Sequence, residues 1–216
     1  MSAPEPVRWS VVVPVKRLDQ AKSRLSARAG AHREDLALAL AHDTVEATLA
    51  CPLVCRVVVV TDDPRVAGAV GRPRVLVVPD LPDRGLNPAL EHGAGRATQD
   101  APGHGVVALA ADLPALRAAE LSVALGEAAA HPTAFVADAE GTGTTLLTAR
   151  PGVSLRPRFG RDSRARHLAA GAVELAVAGV TSVRRDVDTE EDLDEALRMG
   201  AGPRTVGVAR RLGALP

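Results

Sequence analysis

The run WSVVVPVK at residues 9–16 is a continuous apolar stretch rich in β-branched valine. A strand with one face in water alternates apolar and polar residues. A strand covered on both faces has no need to, and unbroken valine runs mark parallel sheets buried under helices on either side. The same pattern returns in CRVVVVTDD at 55–63, RVLVVPD at 74–80 and GVVALAADLP at 105–114. Helical stretches lie between them. REDLALALAHDTVEATLA at 33–50 carries Leu36, Leu40, Val45 and Leu49 near helical spacing, and PRVAGAVG at 64–71 is opened by Pro64 and closed by Gly71. GLNPALEHGAGRATQD at 85–100 reads as a loop feeding a helix, and ALRAAELSVALGEAAAH at 115–131 as another helix.

Farther along, TAFVAD at 133–138 is a strand, GTGTTLLTA at 141–149 a glycine turn entering a strand, and RDSRARHLAAG at 161–171 a helix. VELAVAG at 173–179 and SVRRDVD at 182–188 read as short strands. TEEDLDEALRMG at 189–200 is a helix with Thr189 as N-cap and Gly200 at its end. The last sixteen residues look like a tail. Strands alternating with helices specify an α/β fold with a mostly parallel central sheet flanked by helices, Rossmann-like in layering. With no internal repeat or linker, one domain over 1–216 is expected, with 1–8 and 205–216 as flexible or peripheral tails.

Composition narrows the function. The chain has 216 residues, 46% hydrophobic and only 1% aromatic, with formal net charge +0. That leaves no basic surface and few stacking rings for nucleic acid. Cys51 and Cys55 are the two cysteines, too few for a cysteine-based zinc site, and a structural disulfide is not expected. The short polar start is no signal peptide, and no apolar run approaches the roughly 20 residues a membrane span needs. A cytoplasmic location is expected.

In parallel sheets, ligands bind beyond the carboxyl ends of the strands. Those ends carry Lys16, Asp62, Asp63, Asp80, Asp112, Asp138 and the pair Asp186/Asp188. Lys16 and Lys22 are the only lysines among 26 basic side chains. In a chain that otherwise uses arginine, a retained compact ammonium suggests a need for that group. With Arg17 and Arg24, they make a basic loop after the first strand, where phosphates commonly sit. Neither GxxxxGK[ST] nor GxGxxG is present, and a solvated basic loop is the plain alternative.

Asp112 closes a buried strand two residues before Pro114. It could hold Mg²⁺ beside phosphate oxygens or simply cap the next helix. Asp186 and Asp188, two apart, face one side of an extended segment and repel unless a cation or a basic group sits between them. Gly160 and Ser163, set among arginines in RFGRDSRARH, suit a small anion at a helix start. Asp162 in that turn must point away or pair with an arginine. Gly85 and Asn87 could approach a nucleobase or ribose, though a plain turn reads the same. Of the histidines only His167 lies near a candidate site, and a structural role suits it better.

In order along the chain stand VPVKRLDQAKSRLS, DRGLNPAL, ADLPAL, GTGTTLL, RFGRDSRARH and DVDTEEDL. Together, over residues 10 to about 204, the set resembles the guanylyltransferases of coenzyme F-420 biosynthesis that act on 2-phospho-L-lactate or phosphoenolpyruvate. The resemblance implies a nucleotidyltransferase fold of the glycosyltransferase-A type, related to the molybdenum-cofactor guanylyltransferases, with GTP as substrate and Mg²⁺ as cofactor. By the family pattern, Lys16 and Lys22 meet the nucleotide phosphates, and Asp112, Asp186 and Asp188 bind metal. Thr145, Gly160 and Ser163 fall where the phosphorylated three-carbon acceptor is held.

The implied reaction moves GMP from GTP onto the acceptor phosphate and releases pyrophosphate. Lys16, Lys22 and Asp112 are its catalytic residues, and the arginine-rich composition favours phosphoenolpyruvate as acceptor. A homodimer and hand-off to the next enzyme of the pathway are compatible with this. The glycine-rich opening loop of the molybdenum-cofactor enzymes is replaced here by PVKRLDQAKSRLS, which places more of the triphosphate grip on the two lysines. The alternatives are a nucleotidyltransferase of another specificity, such as a molybdenum-cofactor guanylyltransferase, or a non-catalytic nucleotide-binding α/β domain.

Overall fold

The computed structural model describes residues 6–22, 25, 29–81 and 83–214. Seven strands form one sheet: β1 (Trp9–Pro14), β2 (Val54–Val60), β3 (Val75–Val78), β4 (Gly105–Leu109), β5 (Thr133–Ala137), β6 (Thr144–Ala149) and β7 (Val173–Glu174). Their order is β3-β2-β1-β4-β6-β5-β7. Every described pairing is parallel except those of β6, which runs antiparallel to both β4 and β5. The mostly parallel sheet expected from the valine runs is therefore present, with one reversed strand.

Among the described residues seven α-helices flank the sheet: α1 (Arg33–Ala50), α2 (Pro64–Val70), α3 (Leu86–Asp100), α4 (Ala118–Ala128), α5 (Ser163–Ala169), α6 (Glu190–Met199) and α7 (Pro203–Arg211). The absence of alternation in the strands is explained by burial on both sides. Val11, Val13, Val57 and Val59 pack into the core with Val45 of α1 and Leu121 and Leu125 of α4. Val12, Val58 and Val60 pack into the opposite core with Ala89, Leu90 and Ala94 of α3. Gly93 permits that close approach, since a Cβ there would lie 2.5 Å from Val12 Cγ1 and 2.7 Å from Val60 Cγ2. Ala37, Ala41 and Val45 come from the side of α1 that faces the sheet.

Three sequence expectations are corrected. Of the strand expected at 173–179, only Val173–Glu174 pairs with β5. Residues 182–188 form no strand: a 3-10 turn spans Thr181–Val183 and the chain continues irregularly to α6. Local bonds replace the ladder, with the Ser182 N–H donating to Glu120 Oε2 (2.7 Å) and Ser182 Oγ accepting from the Arg117 N–H (3.0 Å). The segment after 201, read as a tail, contains α7, with Thr205, Val208 and Ala209 buried. The buried carboxylate of Asp43 on α1 caps it, accepting from the N–H groups of Thr205 (2.7 Å) and Arg204 (3.3 Å). Helix α6 starts at Thr189 as read, with a capping box between Thr189 and Asp192.

Chain order places the ligand-binding end. From β1 the sheet grows through β2 and β3 on one side and through β4 on the other, so the strand order reverses between β1 and β4. A crevice opens beyond the carboxyl ends of strands at such a point. Lys16 and Lys22 follow β1, and Asp112 follows β4.

Candidate active site

The loop after β1 is tied down from two sides. Its short 3-10 helix, Leu18–Gln20, has its Leu18 N–H donating to Asp63 Oδ2 (3.0 Å), while Asp63 Oδ1 caps α2 through the Arg65 N–H (2.9 Å). Burial opposes ionisation of Asp63, but the N–H groups of Leu18, Arg65 and Val66 prevail and hold its carboxyl below the usual range. The Arg33 guanidinium, at the start of α1, donates to the carbonyls of Leu18, Ala21 and Asp19, the last at 2.9 Å. No local sequence pattern marks Asp63 or Arg33 as loop anchors. Their partners lie 45 and 12 to 15 residues away.

Asp112 lies three residues past β4. The Leu113 N–H donates to Thr44 Oγ1 of α1 (2.9 Å), and the Asp112 carbonyl accepts from the Val187 N–H (3.1 Å). That last bond lays the 186–188 segment beside Asp112. The turn before it is held by Thr145 of β6, whose fully buried hydroxyl donates to the Val183 carbonyl (2.6 Å). Asp112 does not cap the next helix, because α4 begins only at Ala118 with Arg117 as N-cap.

At the centre is Lys22. Its Nζ contacts Asp112 Oδ2 and lies 2.9 Å from Asp188 Oδ1. The three side chains come from positions as much as 166 residues apart. Lys22 adopts the left-handed backbone conformation, φ 55°, which a non-glycine residue holds only when its surroundings require it. Burial disfavours its charge, but Asp112 and Asp188 prevail and raise its pKa above the ordinary lysine value. Asp186 is shifted against ionisation: burial first, then the charges of Asp112 and Asp188, raise its pKa to about 7.

The sign of that shift predicts a pH effect. The folded value lies above the unfolded 3.8, so Asp186 contributes stability below pH 4 that is lost as pH rises through about 7. In chelator-treated protein, Asp186→Asn should melt higher than the parent at pH 8, and the two should converge at pH 4. An unchanged difference across that range would show that Asp186 is not held in this electrostatic position.

The remaining candidates divide into engaged and exposed groups. Lys16 and Arg17 are exposed on the loop, Arg17 in a surface pair with Asp19 at 3.4 Å. Arg24 lies outside the described residues. Gly85, φ 93°, ends the turn into α3, and Asn87 spends both amide atoms on the Phe159 backbone, at 3.1 and 2.7 Å. Asn87 is thus a tether between α3 and the 158–163 loop. In that loop Gly160 has φ 108°, Ser163 is buried at the start of α5, and Asp162 is exposed and paired with Arg161 (3.5 Å). The Arg166 guanidinium supports the loop through the carbonyls of Phe159 and Arg161.

His167 is structural. Its Nε2 accepts from the Arg158 N–H (3.0 Å), which assigns the Nδ1 proton to the bond with Thr144 Oγ1 (2.9 Å). Burial, with Arg166 and Arg158, lowers its pKa to about 4. Asp138 shapes the β5–β6 turn by accepting from the Thr142 and Gly143 N–H groups.

An ammonium held by two carboxylates, a third carboxylate that feels their charge, and a basic loop at the switch point of a parallel sheet suit phosphate chemistry. A family model described as "Guanylyl transferase CofC like" matches residues 9–214. The chain belongs to the CofC-like guanylyl transferase family. Curated members similar to it include proteins named phosphoenolpyruvate guanylyltransferase. The one from Thermomonospora curvata is 56% identical over 206 residues, covering 95% of this chain and 90% of that protein. The one from Streptosporangium roseum is 53% identical over 217 residues, covering 100% and 97%.

Solved structures similar in fold to the CofC-like chain include a nucleotidyl transferase from Methanothermobacter thermautotroptrophicus, with TM-score 0.61 and 21% identity, covering 89% of this chain and 99% of that one. Rv0371C of Mycobacterium tuberculosis H37Rv, solved with manganese, gives TM-score 0.56 and 21% identity over 90% and 100% of the two chains. The CofC-like chain is an enzyme of the nucleotidyltransferase class. Among its described residues no helix is long and apolar enough to cross a membrane.

The donor set can be tested against a divalent cation. Among the described residues no three His, Cys, Asp or Glu side chains converge as a ready-made cage. Two carboxylate oxygens do converge, on the Lys22 ammonium, with Asp186 beside them. Mg²⁺ usually takes only one or two carboxylates and completes its shell with water and substrate phosphates. The residues therefore fit a cation that arrives with a nucleotide.

Proposed function

We propose that the chain transfers GMP from GTP to the phosphate of phosphoenolpyruvate, releasing pyrophosphate. The observation that carries this is the shared contact of Lys22 with Asp112 and Asp188 at the β1/β4 crevice. It gathers the charges a triphosphate needs in a chain of this family. The names of the relatives support phosphoenolpyruvate as the acceptor. In the proposed reaction an acceptor phosphate oxygen bonds to the α-phosphorus in line, and the bond to the pyrophosphate oxygen breaks. The acceptor phosphate is already largely ionised near neutral pH, its second pKa being near ~6, so no side chain has to remove a proton.

What remains is positioning and charge neutralisation. Lys16 and Lys22 meet negative charge on the α-phosphate and the departing pyrophosphate. Arg17 and the backbone at Gly85 line the nucleotide side. Gly160 and Ser163 hold the acceptor, and Thr145 fixes the 181–183 turn that leads to Asp186 and Asp188. Asp112, Asp186 and Asp188 would hold Mg²⁺, which would supply charge neutralisation of phosphate when bound.

The test is pyrophosphate release from GTP and Mg²⁺ with phosphoenolpyruvate, 2-phospho-L-lactate or 3-phosphoglycerate in separate reactions, the next pathway enzyme being present to draw off product. Release with phosphoenolpyruvate is expected. Release with none, across all four nucleotides, would exclude the proposal and favour a binding role.

A further inference from the structure

Lys22 and a divalent cation have a claim on the same two oxygen atoms. The ammonium bonds Asp112 Oδ2 and Asp188 Oδ1, and its side chain is only 12% exposed. The surrounding backbone is built for that placement. The left-handed turn at Lys22 is closed by the Leu25 N–H on the Lys22 carbonyl (3.0 Å), and Arg33 grips the carbonyl just before it, that of Ala21. Lys16, six residues earlier, stays exposed. The two lysines therefore start from different positions: one faces solvent, and one neutralises the carboxylates.

We propose that Lys22 is an internal counter-ion that a divalent cation displaces: the cation entering between Asp112 and Asp188 expels the ammonium, which becomes available to the nucleotide phosphates. This rests on Asp112 and Asp188 being the metal ligands proposed above. Two consequences follow from charge alone. The cation by itself binds weakly, because it must first break an ammonium–carboxylate pair. Cation and triphosphate bind cooperatively, because each relieves a cost of the other: the triphosphate gives the expelled ammonium a new anion, and the cation leaves it free to move.

The experiment uses the full chain, stripped of divalent cations by chelation. Mn²⁺ binding is followed by electron paramagnetic resonance for the parent and for Lys22→Met, which keeps the stem and loses the charge. Charged hydrogen bonds lie at the strong end of their range, so the variant should bind Mn²⁺ at least about 10-fold tighter than the parent. A second measurement needs no variant. Because Lys16 and Lys22 are the only lysines, acetylation read by peptide mass spectrometry reports each of them separately. Saturating Mn²⁺ should raise Lys22 acetylation several-fold and leave Lys16 unchanged, and GTP added with Mn²⁺ should lower Lys22 again.

Equal or weaker Mn²⁺ binding by a folded variant, or Lys22 acetylation that Mn²⁺ does not move, overturns the counter-ion role. If pyrophosphate release from GTP stands alongside that result, only the counter-ion role is lost. If neither protein binds Mn²⁺, with or without GTP, the metal assignment fails and takes this proposal with it.

Discussion

Asp112→Asn should lower kcat for pyrophosphate release by about 10²–10³, the loss typical when one preorganised charge-stabilising group is removed from a transition state. The expectation follows from three features. The Asp112 backbone is held by the Val187 N–H on its own carbonyl and by the Thr44 hydroxyl, which accepts from the N–H of the next residue, Leu113. Its carboxylate shares Lys22 with Asp188. It does not cap α4, so its substitution removes no helix cap. Asparagine is nearly isosteric and can still accept a hydrogen bond from Lys22, so the variant should melt within a few degrees of the parent. A fold-preserving variant that keeps kcat within about threefold would remove Asp112 from the chemistry.

Lys22→Arg should be nearly as damaging, with kcat down about 10²-fold on the same scale. The substitution conserves charge and would be mild on an open surface. Here the side chain is 12% exposed and its single nitrogen bonds two carboxylates at once. A guanidinium is wide and planar, and its donors suit one carboxylate edge-on rather than two around a point. It would hold its carboxylates in a fixed fork and follow a changing phosphate poorly. Lys16→Arg, at an exposed position, should cost less. If Lys22→Arg retains near-parental kcat, the preference for lysine at this position has no catalytic basis. Rates at saturating GTP and acceptor, alongside a thermal melt of each protein, decide the matter.

Much of this architecture was legible because the strands needed only local information. Unbroken valine runs can be accommodated only where both faces are buried, and β1, β2, β3 and β4 stand where those runs occur. The direction of β6 was not legible, since a buried strand reads the same whether it runs with or against its neighbours. Residues 182–188 resembled a strand, but Thr145, Ser182 and Glu120 bind the turn before it. Helix α7 was missed because its cap comes from Asp43, 161 and 162 residues away in sequence.

The candidate site divides along the same line. Lys22 stood out as one of two lysines in an arginine-rich chain, Asp112 as a charge at the end of a buried strand, and Asp186 and Asp188 as two carboxylates two residues apart. Their direct contact did not, since spacing along the chain carries no information about an encounter between residues 22 and 188. Asn87 and Thr145 were chosen for their chemistry, and the structure shows what sequence could not: each is bonded to backbone elsewhere in the fold.

The bonds from residues 199–202 to the loop after Asp112 bear on how the enzyme is made. The Gly202 N–H donates to the Pro114 carbonyl (2.8 Å), and the Met199 carbonyl accepts from Arg117 (2.9 Å). A ribosome delivers Lys22 first, Asp112 ninety residues later, and Asp188 only after both. Until then the lysine and the first aspartate have no third partner, and the loop between β4 and α4 lacks two of its anchors. A nascent chain can build β1, β2 and β3 while still on the ribosome, but it cannot assemble the charged centre. The charged centre is therefore complete only once residue 188 has been made, and a chain that stops short of it carries Lys22 and Asp112 without the carboxylate they meet in the fold.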